Sequence, residues 1–387
     1  MQERLKIVHF SDIHLGASFS STIRSRPEKR LKAQEALLET FKKAVEISFN
    51  RNPDAVVIAG DLFDSNDPRF KLERETYEVL RGAALAHPET FLLLVPGGHD
   101  HLSSYSPYLR SPLKDLDELS NVKIFNREGP QSFKLPDNRA VFHAFPHATR
   151  AVSRSILSNL EPDPDAAFNV AIVHGSVSEF VKDPNDPVSL EEMTLFDYTV
   201  LGHWHRFLKV ESARKIMGAY SGSLSPLEFG ETDEKYIVEV ELKRDSSRTT
   251  VDINCLRSPS ILTTASIRAN SLLELKEKLS NLADGHLYLI QLFLNFPADL
   301  EEVSHLVHSF PSVLEARIQL KEDLNINFDF SENDFRFHLL TTISERGENS
   351  NFSSKEAAAI IEMAKRFALA ALEGRDPLDI EDLMLEE

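Results

Sequence analysis

Five short polar motifs, each set directly behind a run of apolar residues, govern what this chain can become. In order they are Asp12-x-His14, Gly60-Asp61-Leu62-Phe63-Asp64, Gly97-Gly98-His99-Asp100, His174-Gly175 and Gly202-His203-Trp204-His205. The runs before them (7–10, 55–58, 92–95, 170–173 and 199–201) are aliphatic and β-branched and predict buried strands. Side chains just past the C-terminal ends of neighbouring strands converge on one crevice. Carboxylates and imidazoles gathered there predict a pocket for two divalent cations.

From residue 5 to about 257 the pattern alternates between strands and helices. Apolar residues at helical spacing (Leu37, Leu38, Phe41, Val45, Phe49) predict a helix over 31–49. Leu72, Tyr77, Leu80 and Leu85 predict a second over 72–86. Short helices are expected over 113–119 and over 151–160, the latter stopped by Pro162 and Pro164. Strands are also expected near 122–125, 131–135, 140–145, 215–219, 236–242 and 249–256. So many strands with so few helices point to an α/β fold of two stacked sheets flanked by helices. Past Ser258-Pro259 the pattern changes to strands over 261–268, 287–295 and 313–320, with helices over 272–282 and 300–310 between them. The expected domains are therefore 1–257, a small α+β domain over 258–344, and a polar linker with a C-terminal amphipathic helix and acidic tail over 345–387. That helix would carry Ala357, Ile360, Ile361, Ala364, Phe367, Ala368 and Ala371 on one face.

The chain of 387 residues holds a single cysteine, Cys255, so no intrachain disulfide is available. Its first residues lead straight into a strand with no signal-peptide pattern, and runs such as 91–95 are too short to cross a bilayer. A cytoplasmic protein with no membrane partner is expected. The net charge is −18, and half of it comes from 321–387, where seven Lys/Arg face sixteen Asp/Glu. Nucleic-acid binding ordinarily leaves a basic footprint. The one local candidate is Arg24, Arg26, Lys29 and Arg30, close behind the first motif. A solvated helix start accounts for these cations equally well.

Cleaving a phosphodiester requires a strong nucleophile at neutral pH and neutralisation of the attacking and leaving oxygens. Two metals about 3.5–4 Å apart supply both. Asp61, at a strand end, suits a bridging position. Asp12 and His14 sit at i and i+2 and point the same way if the strand stays extended, as do His203 and His205; His174 comes from another strand. Mixed carboxylate and imidazole ligation favours Mn²⁺, Fe²⁺ or Zn²⁺ over Mg²⁺ or Ca²⁺. Taken singly, each motif is commonplace in turns; their joint order behind strands carries the reading. His143, His147, His286, His305, His308 and His338 lack such context and read as structural or surface residues.

The order D-x-H, G-D-x-x-D, G-x-H-D, H-G, G-H-x-H resembles the calcineurin-like metallophosphoesterase superfamily over residues 5–210. The stretches Gly218 to Glu231 and Lys235 to Val240 make the chain similar to the SbcD-type subfamily of DNA repair nucleases. The resemblance implies a metallophosphoesterase two-sheet β-sandwich, followed by a capping domain. It implies that Asp12, His14, Asp61 and His205 hold one metal and Asp61, His174 and His203 the other. His99 would be the acid assisting the leaving oxygen, oriented by Asp64. Manganese as the metal, DNA as the substrate, homodimerisation, and an SbcC-like coiled-coil ATPase docking on 355–372 are implied likewise. That amphipathic stretch would equally pack on its own domain.

At one position the chain departs from the family: Gly98 stands where the family has an asparagine that ligates the second metal. Water or His101 would have to take its place, with weaker binding and lower turnover expected, and Gly98→Asn expected to restore them. A metal-dependent DNA exo/endonuclease is the leading expectation. A phosphodiesterase or phosphatase of small substrates, and a DNA-end-binding scaffold with attenuated catalysis, are the alternatives.

Overall fold

The computed structural model describes residues 3–17, 19, 27–153, 155–181, 185–245 and 248–320. Arg24, Arg26 and the sequence from 321 onward, including the expected C-terminal helix, lie outside the described residues. The described strands run, in chain order, β1 Glu3–Phe10, β2 Ala55–Ala59, β3 Phe91–Val95, β4 Val122–Ile124, β5 Gln131–Lys134, β6 Ala140–Ala144 and β7 Phe168–His174. After a short pair, β8 Ser176–Val177 and β9 Pro187–Val188, come β10 Tyr198–Gly202, β11 Leu208–Ser212, β12 Lys215–Tyr220, β13 Tyr236–Arg244 and β14 Thr249–Arg257. The main helices are α1 Pro27–Asn50 and α2 Phe70–Ala86, with a single turn α3 at Leu190–Met193.

Two six-stranded sheets result, ordered β14-β13-β1-β2-β3-β4 and β11-β12-β10-β7-β6-β5. In each, four neighbouring strands run parallel (β1-β2-β3-β4 and β12-β10-β7-β6), while the antiparallel pairs lie toward the edges. Period-2 geometry explains why the sequence runs are apolar on both faces. On β1 and β2, Leu5, Ile7, Ala55 and Val57 face the opposite sheet, where they pack with Phe142, Val170 and Tyr198. Val8, Phe10, Val56 and Ile58 face outward, under Leu37, Phe41, Val45 and Phe49 of α1. Each such large apolar side chain, once buried, contributes about 1.5–3 kcal/mol. The helix α1 starts at Pro27, four residues before its apolar spacing begins, because proline is favoured in the first helical turn.

The expected helix over 151–160 does not form; only a 3₁₀ turn at Leu157–Asn159 is present. Tertiary partners take its backbone donors instead: Val152 N–H donates to the Asp186 carboxylate and Ile156 N–H to the Pro187 carbonyl. Residues 113–118 likewise form a 3₁₀ helix, not an α-helix. Strand β11, which alternates over Leu208, Lys209, Val210 and Glu211, pairs antiparallel with β12 at the edge of the second sheet.

The small α+β region comprises β15 Leu262–Ala269, α4 Leu272–Ser280, β16 Leu287–Leu294, α5 Leu300–His308 and β17 Val313–Leu320. Its three strands are parallel in the order β15-β16-β17. Ser271 caps α4 and Asp299 caps α5 by accepting from their first free N–H groups. Residues 1–320 form one compact unit. Leu262, Leu289 and Leu314 join the core beneath α1, and Lys29 Nζ donates to the Val313 carbonyl at 2.7 Å and lies 3.0 Å from His308 Nδ1. Lys29, a candidate for phosphate binding in the sequence, thus turns its ammonium toward the small subdomain. Arg30 lines a separate cavity between α1 and α2.

Candidate metal centre

All five motifs emerge at the same end of the two sheets. Those after β1, β2 and β3 come from the first sheet, and those after β7 and β10 from the second, where His174 is paired in register with Gly202. Asp12 and His14 do not continue an extended strand. Both have left-handed backbone (φ 54° and 50°), as do Asp61 (51°) and His203 (97°). Such conformations cost non-glycine residues of order 1–3 kcal/mol each and persist only where surroundings impose them. Here Asp12 N–H donates to the Gly60 carbonyl, and Ile13 and His14 N–H both donate to the Asp61 carbonyl. The first motif is thereby fastened to the second, and the i, i+2 convergence arises from a strained turn, not from strand geometry. Gly60 is required for that approach: at φ 90° a Cβ there would lie 2.2 Å from His174 Nδ1.

Asp61 is the hub. Its Oδ1 accepts from His99 N–H at 2.8 Å, and its Oδ2 faces His174 Nε2 at 3.2 Å and His14 Nε2 at 3.6 Å. Three groups of ligand atoms lie within 4.8 Å of one another: Asp12, His14 and His205; His14, Asp61 and His99; and Asp12, Asp61 and His174. Asp12 is further oriented by Ser11 Oγ and by His203 N–H, which donates at 3.1 Å. The ring of His203 packs edge-on against His174 at 5.4 Å between centroids and belongs to none of the three groups.

The charges are mutually dependent. Burial works against protonating His14 and His174. The Asp64, Asp61 and Asp12 carboxylates outweigh it at His14 and lift that imidazole to about 9. Asp61 and Asp12 lift His174 to about 10. Burial would raise Asp61, but His174, His14 and His99 hold it well below the usual carboxylate range. Yet His14 Nε2 and His174 Nε2 are both buried without a hydrogen-bond partner. Two buried imidazole nitrogens that face one carboxylate oxygen at 3.2 and 3.6 Å without a well-formed hydrogen bond are what a cation-binding site requires. The residues therefore fit divalent cations.

His99 is half exposed and its Nδ1 lies 3.2 Å from the Asp64 backbone carbonyl. The Asp64 carboxylate is closer to His14 Nδ1, at 3.1 Å, than to His99 Nδ1, at 3.9 Å. The family resemblance implies that Asp64 orients His99; in the structure its main-chain oxygen does so while its side chain orients His14. His101 makes its contacts with the Gly98 carbonyl and Asn66, and belongs to none of the three groups. At Gly98 a Cβ would meet the Arg150 carbonyl oxygen at 2.7 Å, so the loop over 147–150 closes the space an asparagine would enter.

Two supporting carboxylates escape sequence reasoning although both lie within the motif stretches. Asp100 is fully buried and accepts from Leu62, Phe63 and Gly97 N–H and from Tyr108 Oη, at 2.7–3.1 Å. It ties the loop carrying Asp61 to the loop carrying His99. Glu231 Oε1 lies 2.9 Å from His205 Nδ1, while its Oε2 accepts from Lys235 Nζ at 2.7 Å. Burial opposes its ionisation, but His205 and Lys235 bring it down to about 2. An acidic residue four before a lysine is the only local signal.

Fold and site together define a phosphoesterase. Residues 5–207 match the model of the calcineurin-like phosphoesterase family, and the chain belongs to that family. Its sequence relatives include the DNA double-strand break repair protein Mre11 of Methanopyrus kandleri, 27% identical over 245 residues, which are 60% of this chain and 51% of that protein. The SbcD component of nuclease SbcCD from Staphylococcus epidermidis is 26% identical over 292 residues, covering 67% of this chain and 72% of its own. The SbcD-type resemblance stands on these relatives, of which the chain spans about half the length in the first case. A solved dimetal phosphatase from Danio rerio is 10% identical, with TM-score 0.37 over 66% of this chain and 99% of its own. Among the described residues no helix is long and apolar enough to cross a membrane.

Proposed function

We propose that this chain is a metal-dependent DNA nuclease, the phosphodiesterase subunit of a double-strand-break repair complex in the cytoplasm. The observation that carries the chemistry is the convergence of His14 and His174, each with a buried Nε2 that makes no well-formed hydrogen bond, on Asp61. The similarity to nucleases of DNA break repair carries the choice of DNA. Asp12, His14, Asp61 and His205 would hold one cation, and Asp61, His174 and His203 the other, with Asp12 also within reach of the second and manganese suited to this donor set. Bound there, divalent cations would acidify water and neutralise charge on the phosphoryl oxygens.

The chain's own residues then have distinct tasks. Asp64 and Glu231 each engage an imidazole Nδ1, on His14 and His205, which turns Nε2 toward the site and raises its basicity. His99 donates Nδ1–H to the Asp64 carbonyl, so Nε2 is the nitrogen that delivers a proton to the leaving oxygen. Asp100 holds the two loops in register. Residues 258–344 would cap the site, and an SbcC-like coiled-coil ATPase and a second copy of the chain would complete the assembly.

The test is cleavage of end-labelled duplex with Mn²⁺, with and without chelator, for wild type and Asp61→Ala. Metal-dependent cutting lost in the variant is expected. Wild type that cuts only a chromogenic phosphodiester would favour a small-molecule phosphodiesterase, and wild type that cuts neither would leave a scaffold.

A further inference from the structure

The cavity above the metal centre has a second wall that the proposed chemistry does not use. It encloses about 580 Å³, a size that admits a small ligand or a short stretch of single strand. One side is His14, Asp64, His99 and His205; the other is apolar, with Leu227 and Phe229 from the segment after β12 and Leu289 from the small subdomain. Its fixed charges besides the site residues are Glu228, Glu315 and Arg317, so Arg317 is the one Lys or Arg among its described lining residues. Glu315 and Arg317 sit at i and i+2 on β17 and face the cavity together.

Arg317 is exposed, and its guanidinium carbon lies 5.1 Å from the centre of the Phe229 ring. That ring is almost completely buried. A guanidinium over an aromatic face is oriented without losing its hydrogen-bonding edge, and its planar fork matches a phosphate. No described carboxylate lies within ion-pair distance of it. Phe229 is two residues from Glu231, which engages His205, so one short segment both braces a ligand of the centre and supports the cation across from it.

We propose that Arg317 is a phosphate-positioning residue, contributed by the small subdomain, which binds the phosphate flanking the scissile one on a single strand lying in this cavity. The inference rests on the nuclease reading above. It explains how a cleft rimmed by Asp64, Glu228 and Glu315 receives a polyanion: cations neutralise the inner end, and Arg317 the outer. It also makes the small subdomain part of substrate recognition, because Arg317 stands on β17.

The experiment uses the full chain as wild type, Arg317→Ala and Arg317→Lys. A labelled oligothymidylate is titrated by fluorescence anisotropy in Ca²⁺ across salt concentrations, and an aryl phosphodiester with no flanking phosphate is hydrolysed in Mn²⁺. For Arg317→Ala the affinity is expected to fall about tenfold, and the slope of log affinity against log salt to flatten by about 0.7, one phosphate on a single strand. Arg317→Lys should keep the slope and recover part of the affinity. Aryl diester turnover should be unchanged in both. Equal affinity and slope in wild type and Arg317→Ala would overturn the assignment, whatever the cleavage. Equal loss on the aryl diester would overturn it too, by placing Arg317 on the scissile phosphate or in the fold. Normal wild-type binding without DNA cleavage would sink the nuclease reading alone.

Discussion

Asp100→Asn isolates the brace between the two loops that carry Asp61 and His99. The carboxylate accepts four hydrogen bonds, three at Oδ2 and one, from Gly97 N–H, at Oδ1. The amide keeps most of them by placing its oxygen at the Oδ2 position. Its NH₂ then confronts Gly97 N–H, and one buried donor is left unsatisfied, at a cost of about 1–3 kcal/mol. The three remaining bonds change from charged to neutral acceptor, each losing up to about 1 kcal/mol. A gross loss of about 6 kcal/mol is therefore the ceiling. One effect opposes it: burial, and then the nearby Asp61, push the Asp100 carboxyl up, so the ionised group is itself disfavoured here. Removing the charge relieves both penalties. Four short bonds on one fully buried group are expected to outweigh that relief, leaving a net loss of about 1–4 kcal/mol by urea denaturation of the metal-free protein. Manganese affinity should fall as well, since Asp61 and His99 are positioned through these loops. An Asp100→Asn protein as stable as wild type, or more so, would refute the reasoning and show that repulsion from Asp61 outweighs the hydrogen bonds.

Two further outcomes follow from the same geometry. In the metal-free protein His14 and His174 titrate at about 9 and 10, above their ordinary 6.5. The stability they contribute as cations is thus complete below pH 6.5 and lost as pH rises through about 9–10. Metal ligation needs them neutral. Manganese affinity should therefore climb from pH 7 toward 9, and calorimetry at pH 7 in buffers of different ionisation enthalpy should register proton release; none would contradict the raised values. Gly98→Asn, which sequence comparison would favour as a restoration, should lower the thermal midpoint and give no gain in metal affinity, because its Cβ meets the Arg150 carbonyl at 2.7 Å. Thermal unfolding and manganese titration check this, and an unchanged midpoint with tighter binding would show that the 147–150 loop yields.

The strands and their motifs could be read directly because burial on both faces demands uninterrupted apolar runs, and a polar residue at the end of one has few structural excuses. The small α+β region was legible for a related reason: its helices and strands have clean periodicities and side-chain caps at Ser271 and Asp299. Residues 151–160 mislead because a helical pattern of apolar residues says nothing of where the backbone donors go; Asp186 and Pro187, remote in sequence, take them.

Local order along the chain, then, already determined that Asp12, His14, Asp61, His174 and His205 would meet, since parallel strands deliver their C-terminal ends to a common edge. It could not determine how they meet. The left-handed turns at Asp12, His14 and Asp61, the division of Asp64 between two histidines, the braces from Asp100 and Glu231, and the approach of Arg317 all depend on contacts between segments far apart in the chain. Strained backbone and buried carboxylates are stable only when the surrounding fold imposes and satisfies them, and no stretch of sequence contains that surrounding by itself.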